Sequence, residues 1–194
     1  MSPSTREPRG VTLACHPDTP SEAARAVVAQ IRRTPGGTLA LTYLIDGDLA
    51  RMKIPPHASP RIGQQLWRHT CCEVFIACHG QAAYHEFNFA PSGAWAAYAF
   101  KRYREGGPLA AAGELPLVTG VSARKAANQL ELGASIRLDR LSSLHPQAKL
   151  LLAVSAVIED RDGALSYWAI CHPPGRPDFH HADAFALELD EVRD

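Results

Sequence analysis

Hydrophobic and polar positions alternate along this chain in short runs, and turn residues separate the runs. Turn signals such as Pro35-Gly36-Gly37, Asp46-Gly47, Pro91-Ser92-Gly93 and Asp162-Gly163 recur at close intervals. The runs between them are rich in β-branched, aromatic or alternating apolar residues, a rhythm that predicts an all-β sandwich or barrel. We expect ten strands, near residues 10–15, 38–46, 70–78, 82–90, 94–100, 115–122, 128–136, 149–159, 164–171 and 183–190.

Four stretches fit this strand pattern less well. The alanines of residues 21–33 favour a helix that Ser21 could cap, and a short helix passing into a strand is an equal alternative. Residues 138–144 predict one or two helical turns. Residues 54–68 and 172–181 form long connections with three prolines each. Long ordered loops of this kind often serve as binding loops.

Two neighbouring strands each place an acidic residue among apolar ones. Side chains of a strand alternate between faces, so Glu73 shares a face with Phe75, and Glu86 shares one with Asn88. Trp67 precedes the first of these strands. Carboxylates and a carboxamide beside an indole ring predict a platform for a small polar ligand.

Composition narrows the class of protein further. A length of 194 residues fits a single domain, 1–194, and the hydrophobic fraction of 46% is sufficient for a core. The formal net charge is +0, so no overall field favours nucleic acid or an anionic membrane. No apolar run approaches the roughly 20 residues of a membrane helix. The N-terminus has no apolar signal region, so we expect a cytoplasmic protein.

The chain has no recognisable catalytic motif. GxSxG, P-loop, HExxH and Rossmann glycine patterns are missing from the sequence, which argues against an enzyme. The five cysteines form no CxxC pair, so we expect reduced, partly buried thiols rather than disulfides or a zinc knuckle. A catalytic cysteine with a distant histidine is the alternative.

One long set of motifs resembles a known family. It comprises Leu66-Trp67, Thr70-Cys71, Glu73, Phe75-Ile76, Tyr84, Glu86-Phe87-Asn88-Phe89, Pro91-Ser92-Gly93 and Trp95-Ala96-Ala97-Tyr98, followed near the end by Pro177-Asp178-Phe179-His180-His181. These residues resemble bacterial stand-alone DOMON-like domains, which are related to the family 9 carbohydrate-binding modules. The resemblance implies a two-sheet antiparallel β-sandwich with an Ig-like or jelly-roll layout, about ten strands and one or two short helices. It also implies binding of a ligand, which is a sugar in some relatives and haem in others.

A sugar site places specific demands on the candidate residues. Sugar C–H faces stack on indole rings, and sugar hydroxyls need partners that make several hydrogen bonds. The predicted site consists of Trp67 and Trp168 as stacking rings, Glu73, Glu86, Asn88 and Arg104 as hydrogen-bonding groups, and His180 and His181 as closing groups. The purely structural alternatives are core packing for each tryptophan and surface salt bridges, for example with Arg68, for the acids.

Three further interpretations stay open at the level of sequence. Haem could be held by Met52 with Lys53 or a histidine, although no CxxCH attachment motif is present. Asp178, His180, His181 and Asp183 could ligate a metal ion, and relatives also carry structural calcium. The third interpretation is a protein-interaction module, which could form a homodimer.

Overall fold

The computed structural model describes residues 7–34, 36–109, 117–141 and 148–190. These ranges contain thirteen β-strands and three short 3-10 helices, and none of the helices is long and apolar enough to cross a membrane. The strands are β1 (Arg9–Cys15), β2 (Ala24–Arg33), β3 (Thr38–Gly47), β4 (Arg61–Ile62), β5 (Cys71–Cys78), β6 (Tyr84–Phe89), β7 (Ala94–Arg102), β8 (Glu105–Pro108), β9 (Val118–Lys125), β10 (Gln129–Arg137), β11 (Leu150–Glu159), β12 (Leu165–Ala169) and β13 (Leu187–Leu189). The 3-10 helices are Leu66–Arg68, Leu138–Arg140 and Ala182–Ala184.

The strands form one continuous curled sheet. Its order is β4-β7-β6-β5-β11-β12-β1-β2-β3-β10-β9, with β8 added beside β7 and β13 beside β11. All described pairings are antiparallel except that of β4 with β7. Strand β1 joins the two halves, because Arg9–Leu13 pair with β2 whereas Ala14 and Cys15 pair with β12. The prediction of an all-β, largely antiparallel protein is therefore confirmed.

The main core lies between the two halves of the curled sheet. Alternate residues of β2, β3 and β10, such as Ile31 and Leu41, pack in one cluster with Val74, Phe87 and Leu152 from the other half. One polar bond crosses this core. The hydroxyl of Tyr43 on β3 donates a 2.7 Å hydrogen bond to the backbone carbonyl of Glu73 on β5, as a buried tyrosine hydroxyl requires.

The ambiguous segments turn out mostly extended. Residues 21–33 contain strand β2, and the helix interpretation is wrong because Val27, Ala29 and Ile31 are needed on one face toward the core. The Ser21 side chain does accept a bond from the Ala24 amide (2.8 Å), but at the entrance of a strand. Much of the strand expected at residues 183–190 is also absent, since only Leu187–Leu189 pair with β11.

The boundaries of the structure limit two other comparisons. The helical turn expected within 138–144 appears as Leu138–Arg140, and residues 142–147 lie outside the described part. The strand expected at 115–122 is β9, which begins at Val118, while residues 110–116 are not described.

Candidate functional site

The second face of β7-β6-β5-β11-β12 points away from the main core and carries the candidate site. A smaller apolar cluster, including Phe75, Tyr84 and Val157, covers part of this face together with Phe179 and Ala184 from the segment that follows β12. Both faces of β5 are therefore buried, which explains why seven of its eight residues have little exposure. A cavity of about 330 Å³ lies on this face.

Cross-strand pairing sets a row of side chains at the base of the cavity, called the floor below; of its polar members only Glu73 is part of the lining. Asn88 on β6 and Ser155 on β11 both pair with Glu73 on β5, so the three side chains form a row on one face. Alanines continue the row, with Ala96 opposite Asn88 and Ala169 opposite Ser155. Small neighbours leave open space above the polar centre of the row.

A second row lies one step along the strands. Tyr98, Glu86 and Phe75 pair across β7, β6 and β5, so Glu86 emerges between two aromatic rings. The pairing of β5 with β6 places both acids on this face, and within each strand the period-two alternation holds as predicted. Both carboxyl groups line the cavity.

Aromatic rings form most of the wall. The lining includes Trp67, Phe75, Tyr98, Phe100, Tyr167 and Phe179. Trp67 is 38% exposed and contacts Tyr98 edge-to-face, with ring centroids 5.6 Å apart and an interplanar angle of 72°. It lies on the 3-10 helix preceded by Gln65, whose φ of 52° is in the left-handed region. Uncommon backbone conformations of this kind concentrate at functional sites.

Burial dominates the electrostatics of the two acids. Glu73 is only 3% exposed, and burial raises the pKa of its carboxyl well above the usual range, with a further contribution from nearby Glu86. Burial also raises the pKa of Glu86 to about 7, although a hydrogen bond from Asn88 and the charge of Arg104 act in the opposite direction. Asn88 Nδ2 donates that bond to Glu86 Oε1 over 2.7 Å. The cavity therefore contains two carboxyl groups that ionise reluctantly.

A chain of hydrogen bonds holds His180 at the cavity. The backbone N–H of Arg104 donates to the Tyr84 hydroxyl (3.1 Å), whose oxygen lies 2.9 Å from His180 Nδ1. A tautomer with its proton on Nε2 lets the Tyr84 hydroxyl donate to Nδ1 while its oxygen accepts from Arg104. Nε2 then faces Glu86 Oε2 at 3.7 Å. Burial lowers the pKa of His180 to about 4, so the ring is neutral near pH 7.

Arg104 lies at the rim with its own acidic partner. Its guanidinium contacts Asp178 Oδ1 at 2.8 Å, and the Tyr103 hydroxyl donates to Asp178 Oδ2 over 2.6 Å. Arg104 itself has a φ of 54°. Asp178 also accepts a 3.1 Å bond from the backbone N–H of His180. The ion pair of Arg104 with Asp178 therefore joins the β7–β8 turn to the segment that covers the sheet.

Three buried polar atoms on the floor have no partner within the described part of the chain. They are Glu73 Oε1, Asn88 Oδ1 and Ser155 Oγ, all from the row described above. The three residues are 3%, 0% and 1% exposed. Buried polar groups are nearly always hydrogen-bonded in folded proteins, so each such atom needs an explanation. A ligand or an ordered water that reaches this floor would satisfy them.

The structure brings together five of the eight predicted binding residues. Trp67, Glu73, Glu86, Arg104 and His180 all line the cavity. Surface salt bridges do not account for the acids, since both are buried and neither contacts Arg68 in a described ion pair. Asn88 lies behind the lining and reaches it through Glu86.

Two predicted residues lie elsewhere. Trp168 is 5% exposed, packs in the main core and donates from its ring N–H to Ser166, so its prediction as a stacking ring is wrong. Its neighbour Tyr167 points to the opposite face and lines the cavity instead. His181 borders an adjacent apolar cavity of about 600 Å³, and its ring accepts a bond from the Asp183 backbone N–H.

The sequence signals for the missed residues were weak. Tyr98 and Phe100 occur in a strand so apolar that its pattern indicates core packing for both faces. Tyr167 is the neighbour of Trp168, which was predicted to be the stacking ring instead. Alternation identifies Tyr98 and Phe100 as sharing a face with each other. Only the pairing of β7 with β6 places that face beside Glu86.

The residues considered for metal and haem are not arranged for either group. No cluster of three or more metal-ligating side chains occurs among the residues that the structure describes. Asp178 is engaged by Arg104, and His180 by Tyr84. Met52 is 1% exposed in the main core, and Lys53 forms an ion pair with Glu159 (2.8 Å), so these two do not fit an axial pair.

Comparison with known proteins concerns the fold. The sequence matches no family model and no curated protein. A candidate carbohydrate-binding protein from Bacteroides uniformis superposes with a TM-score of 0.63 at 15% identity, covering 91% of this chain and 83% of the other. A family 9 carbohydrate-binding module from Caldicellulosiruptor kristjanssonii, in complex with glucose, superposes with a TM-score of 0.57 at 9% identity, covering 90% and 80%. The chain therefore shares the fold of these structures.

Proposed function

We propose that this chain is a non-catalytic binding module for a small polar ligand of the saccharide class. It acts as a single domain whose two sheet halves form the layers of a sandwich, with the ligand on the outer face of β7-β6-β5-β11-β12. The observation that carries the proposal is the floor of the cavity. There, Glu73 Oε1 is buried and unpartnered in a cavity walled by aromatic rings, and Asn88 Oδ1 lies unpartnered just behind the lining.

The chemistry of this surface suits a sugar. Aromatic rings offer flat apolar faces for sugar C–H groups, and Trp67 is exposed enough to present one. Sugar hydroxyls can donate to the unpartnered oxygens, which removes the cost of leaving those atoms buried and unbonded. The cavity of about 330 Å³ is at the small end of the range for ligand sites, which favours one sugar ring over a long chain.

The comparisons support the same class of ligand. The family 9 module that shares this fold is in complex with glucose. Because that protein is 9% identical to this chain, the likeness suggests which ligands to test and does not assign residues.

The test is a thermal-shift screen of the full chain against neutral hexoses, amino sugars and short oligosaccharides, followed by calorimetry on any that stabilise it. A bound ligand raises the melting temperature by mass action. We expect at least one saccharide to do so. Haem loading in parallel separates the alternatives, since a Soret band without any sugar shift would replace this proposal. Release of reducing sugar from an oligosaccharide would overturn the non-catalytic part.

A further inference from the structure

We propose that the ligand of this cavity carries a protonated amine, which binds as an ammonium group against Glu73. This inference rests on the binding function proposed above and specifies its ligand as an amino sugar rather than a neutral one. Three observations support it: the charges of the lining, the type of the unpartnered atoms and the nature of the wall.

The charges of the lining leave the two carboxyl groups without a dedicated cation. Arg104 is the one described arginine or lysine in the lining, and Asp178 already engages it at 2.8 Å. His180 is neutral near pH 7, because burial lowers its pKa to about 4. A ligand that brings its own positive charge would therefore stabilise the ionised form of Glu73 or Glu86, which burial otherwise disfavours.

The other titratable groups around Glu73 and Glu86 do not supply a positive charge either. They are Cys71 on β5, Tyr84 on β6, Tyr98 on β7 and Tyr167 on β12, together with Asp178. Burial raises the pKa of the thiol and of the three hydroxyls, so these groups stay neutral. Although burial acts in the opposite direction, hydrogen bonds from Tyr103 and Arg104 lower the pKa of Asp178, so this group is ionised. Anionic ligands such as uronates or sugar phosphates are disfavoured by the same inventory.

The unpartnered oxygens of the floor need hydrogen-bond donors from a ligand. Once ionised, the Glu73 carboxylate only accepts hydrogen bonds, as does the Oδ1 atom of Asn88, and Ser155 Oγ can accept as well as donate. An ammonium group has three donors and no acceptor, so it satisfies Glu73 and an adjacent oxygen without adding a lone pair to a buried site. A sugar hydroxyl has a single hydrogen and brings lone pairs of its own, so it offers fewer donors to the acceptor oxygens than an ammonium group does.

The aromatic wall adds a second attraction. Trp67, Tyr98 and Tyr167 border the same small cavity as the carboxyl groups. A cation within about 6 Å of such a ring is attracted by its quadrupole, by more when water is excluded. The same rings serve the apolar face of a sugar, so an amino sugar uses both parts of the site.

The experiment is calorimetry of the full chain at pH 7 and low salt with glucosamine, glucose and N-acetylglucosamine. We expect glucosamine to bind at least about tenfold more tightly than the other two. Binding in phosphate and in MOPS buffers should show release on the order of one proton per glucosamine, because the ammonium favours the ionised carboxylates, and no release with glucose. Equal or tighter binding of glucose would overturn the inference and leave the proposed function standing.

Variants separate the ammonium contact from a general effect. Glu73→Gln keeps the shape and one acceptor but removes the charge, so the preference for glucosamine should fall to about threefold or less. Glu159→Gln is the matched control, since Glu159 is equally buried but belongs to another cavity and pairs with Lys53 and His69. It should keep the full preference. If Glu73→Gln does not fold, Glu86→Gln is used in its place.

Three further outcomes each support or contradict a specific part of the proposal. No binding of any of the three compounds would count against both the inference and the proposed saccharide function. Binding of 1,4-diaminobutane alone would uphold the ammonium contact and overturn the sugar body. A preference for glucosamine that survives both Glu73→Gln and Glu86→Gln would overturn the inference.

Discussion

Glu73 is a carboxyl group that the fold keeps away from water without a described cation beside it. Its backbone carbonyl accepts from Tyr43 on the core side, while its side chain faces the cavity, so one residue connects the core to the site. An unpaired buried charge is costly, and the carboxyl responds by holding its proton. Such groups with raised pKa values are more frequent at functional sites than elsewhere.

Trp67 offers the simplest test of the stacking surface. Trp67→Ala should weaken saccharide binding by at least about tenfold, since central aromatic residues carry much of the energy of an interface. The cost in stability should be small, because the ring is 38% exposed. Calorimetry and thermal unfolding measure the two effects. Ile62→Ala is the control: Ile62 is 61% exposed and lies outside the cavity. Unchanged affinity in Trp67→Ala would remove this ring from the site.

The raised pKa of Glu86 predicts a specific dependence of stability on pH. A carboxyl whose folded pKa is about 7, against 4.5 for the free group, binds its proton more tightly in the folded state. Its contribution is therefore fully present below about pH 4.5 and is lost as the pH rises through 7, by about 3 kcal/mol in total.

The comparison of wild type with Glu86→Gln isolates this contribution, since the other titrating groups are present in both chains. Urea denaturation at pH 5 and pH 8 should show that the wild type loses more free energy of unfolding than the variant over this interval. Parallel curves for the two chains would show that Glu86 titrates near its ordinary value.

At the scale of single elements, strand β12 contributes side chains both to the main core and to the cavity. Tyr167 lines the cavity and Trp168, the next residue, packs in the main core. The register with β11 fixes this division, because Tyr167 pairs with Val157 and Trp168 with Ala156. A shift of one residue would exchange the two rings between core and cavity.

The two rings of β12 should separate binding from stability. Trp168→Ala should cost about 3–5 kcal/mol of unfolding free energy, as for other buried large aromatic residues. Tyr167→Ala should cost less, because the ring is only partly buried, and should weaken ligand binding. Chemical denaturation and calorimetry on both variants test the division. The reverse pattern would mean that the strand has the opposite register.

At the scale of the whole molecule, the site depends on a sheet that has both of its faces covered. One face of β5, β6 and β11 packs against β2, β3 and β10, and the other is covered in part by the segment around Phe179. Coverage on both sides removes the acids from bulk water. The ion pair of Arg104 with Asp178 attaches this covering segment to the β7–β8 turn.

The bond between the two halves of the sheet should contribute to global stability. Tyr43→Phe removes only the hydroxyl that donates to the Glu73 carbonyl across the core. Loss of a buried hydrogen bond of this type costs about 1–2 kcal/mol, because the carbonyl is left with one bond fewer. Urea denaturation measures the change, and an unchanged free energy of unfolding would show that the bond is replaced.

Local pattern in the chain was sufficient for most of the strands and for the shared face of Glu73, Phe75 and Ala77, because the period of two is a property of the extended backbone itself. The short distance of six residues along the chain also made Trp67 a candidate neighbour of Glu73. These inferences needed no knowledge of which elements pack together.

Packing between distant elements settled the remaining features. Helix propensity in residues 24–33 yielded to a core that needed a strand there, and the choice between Tyr167 and Trp168 depended on which face of β12 meets that core. The raised pKa values of Glu73 and Glu86 likewise arise from burial by segments far away in the chain. Alternation specifies that two faces exist, but only long-range contacts specify which one is enclosed and what shares it.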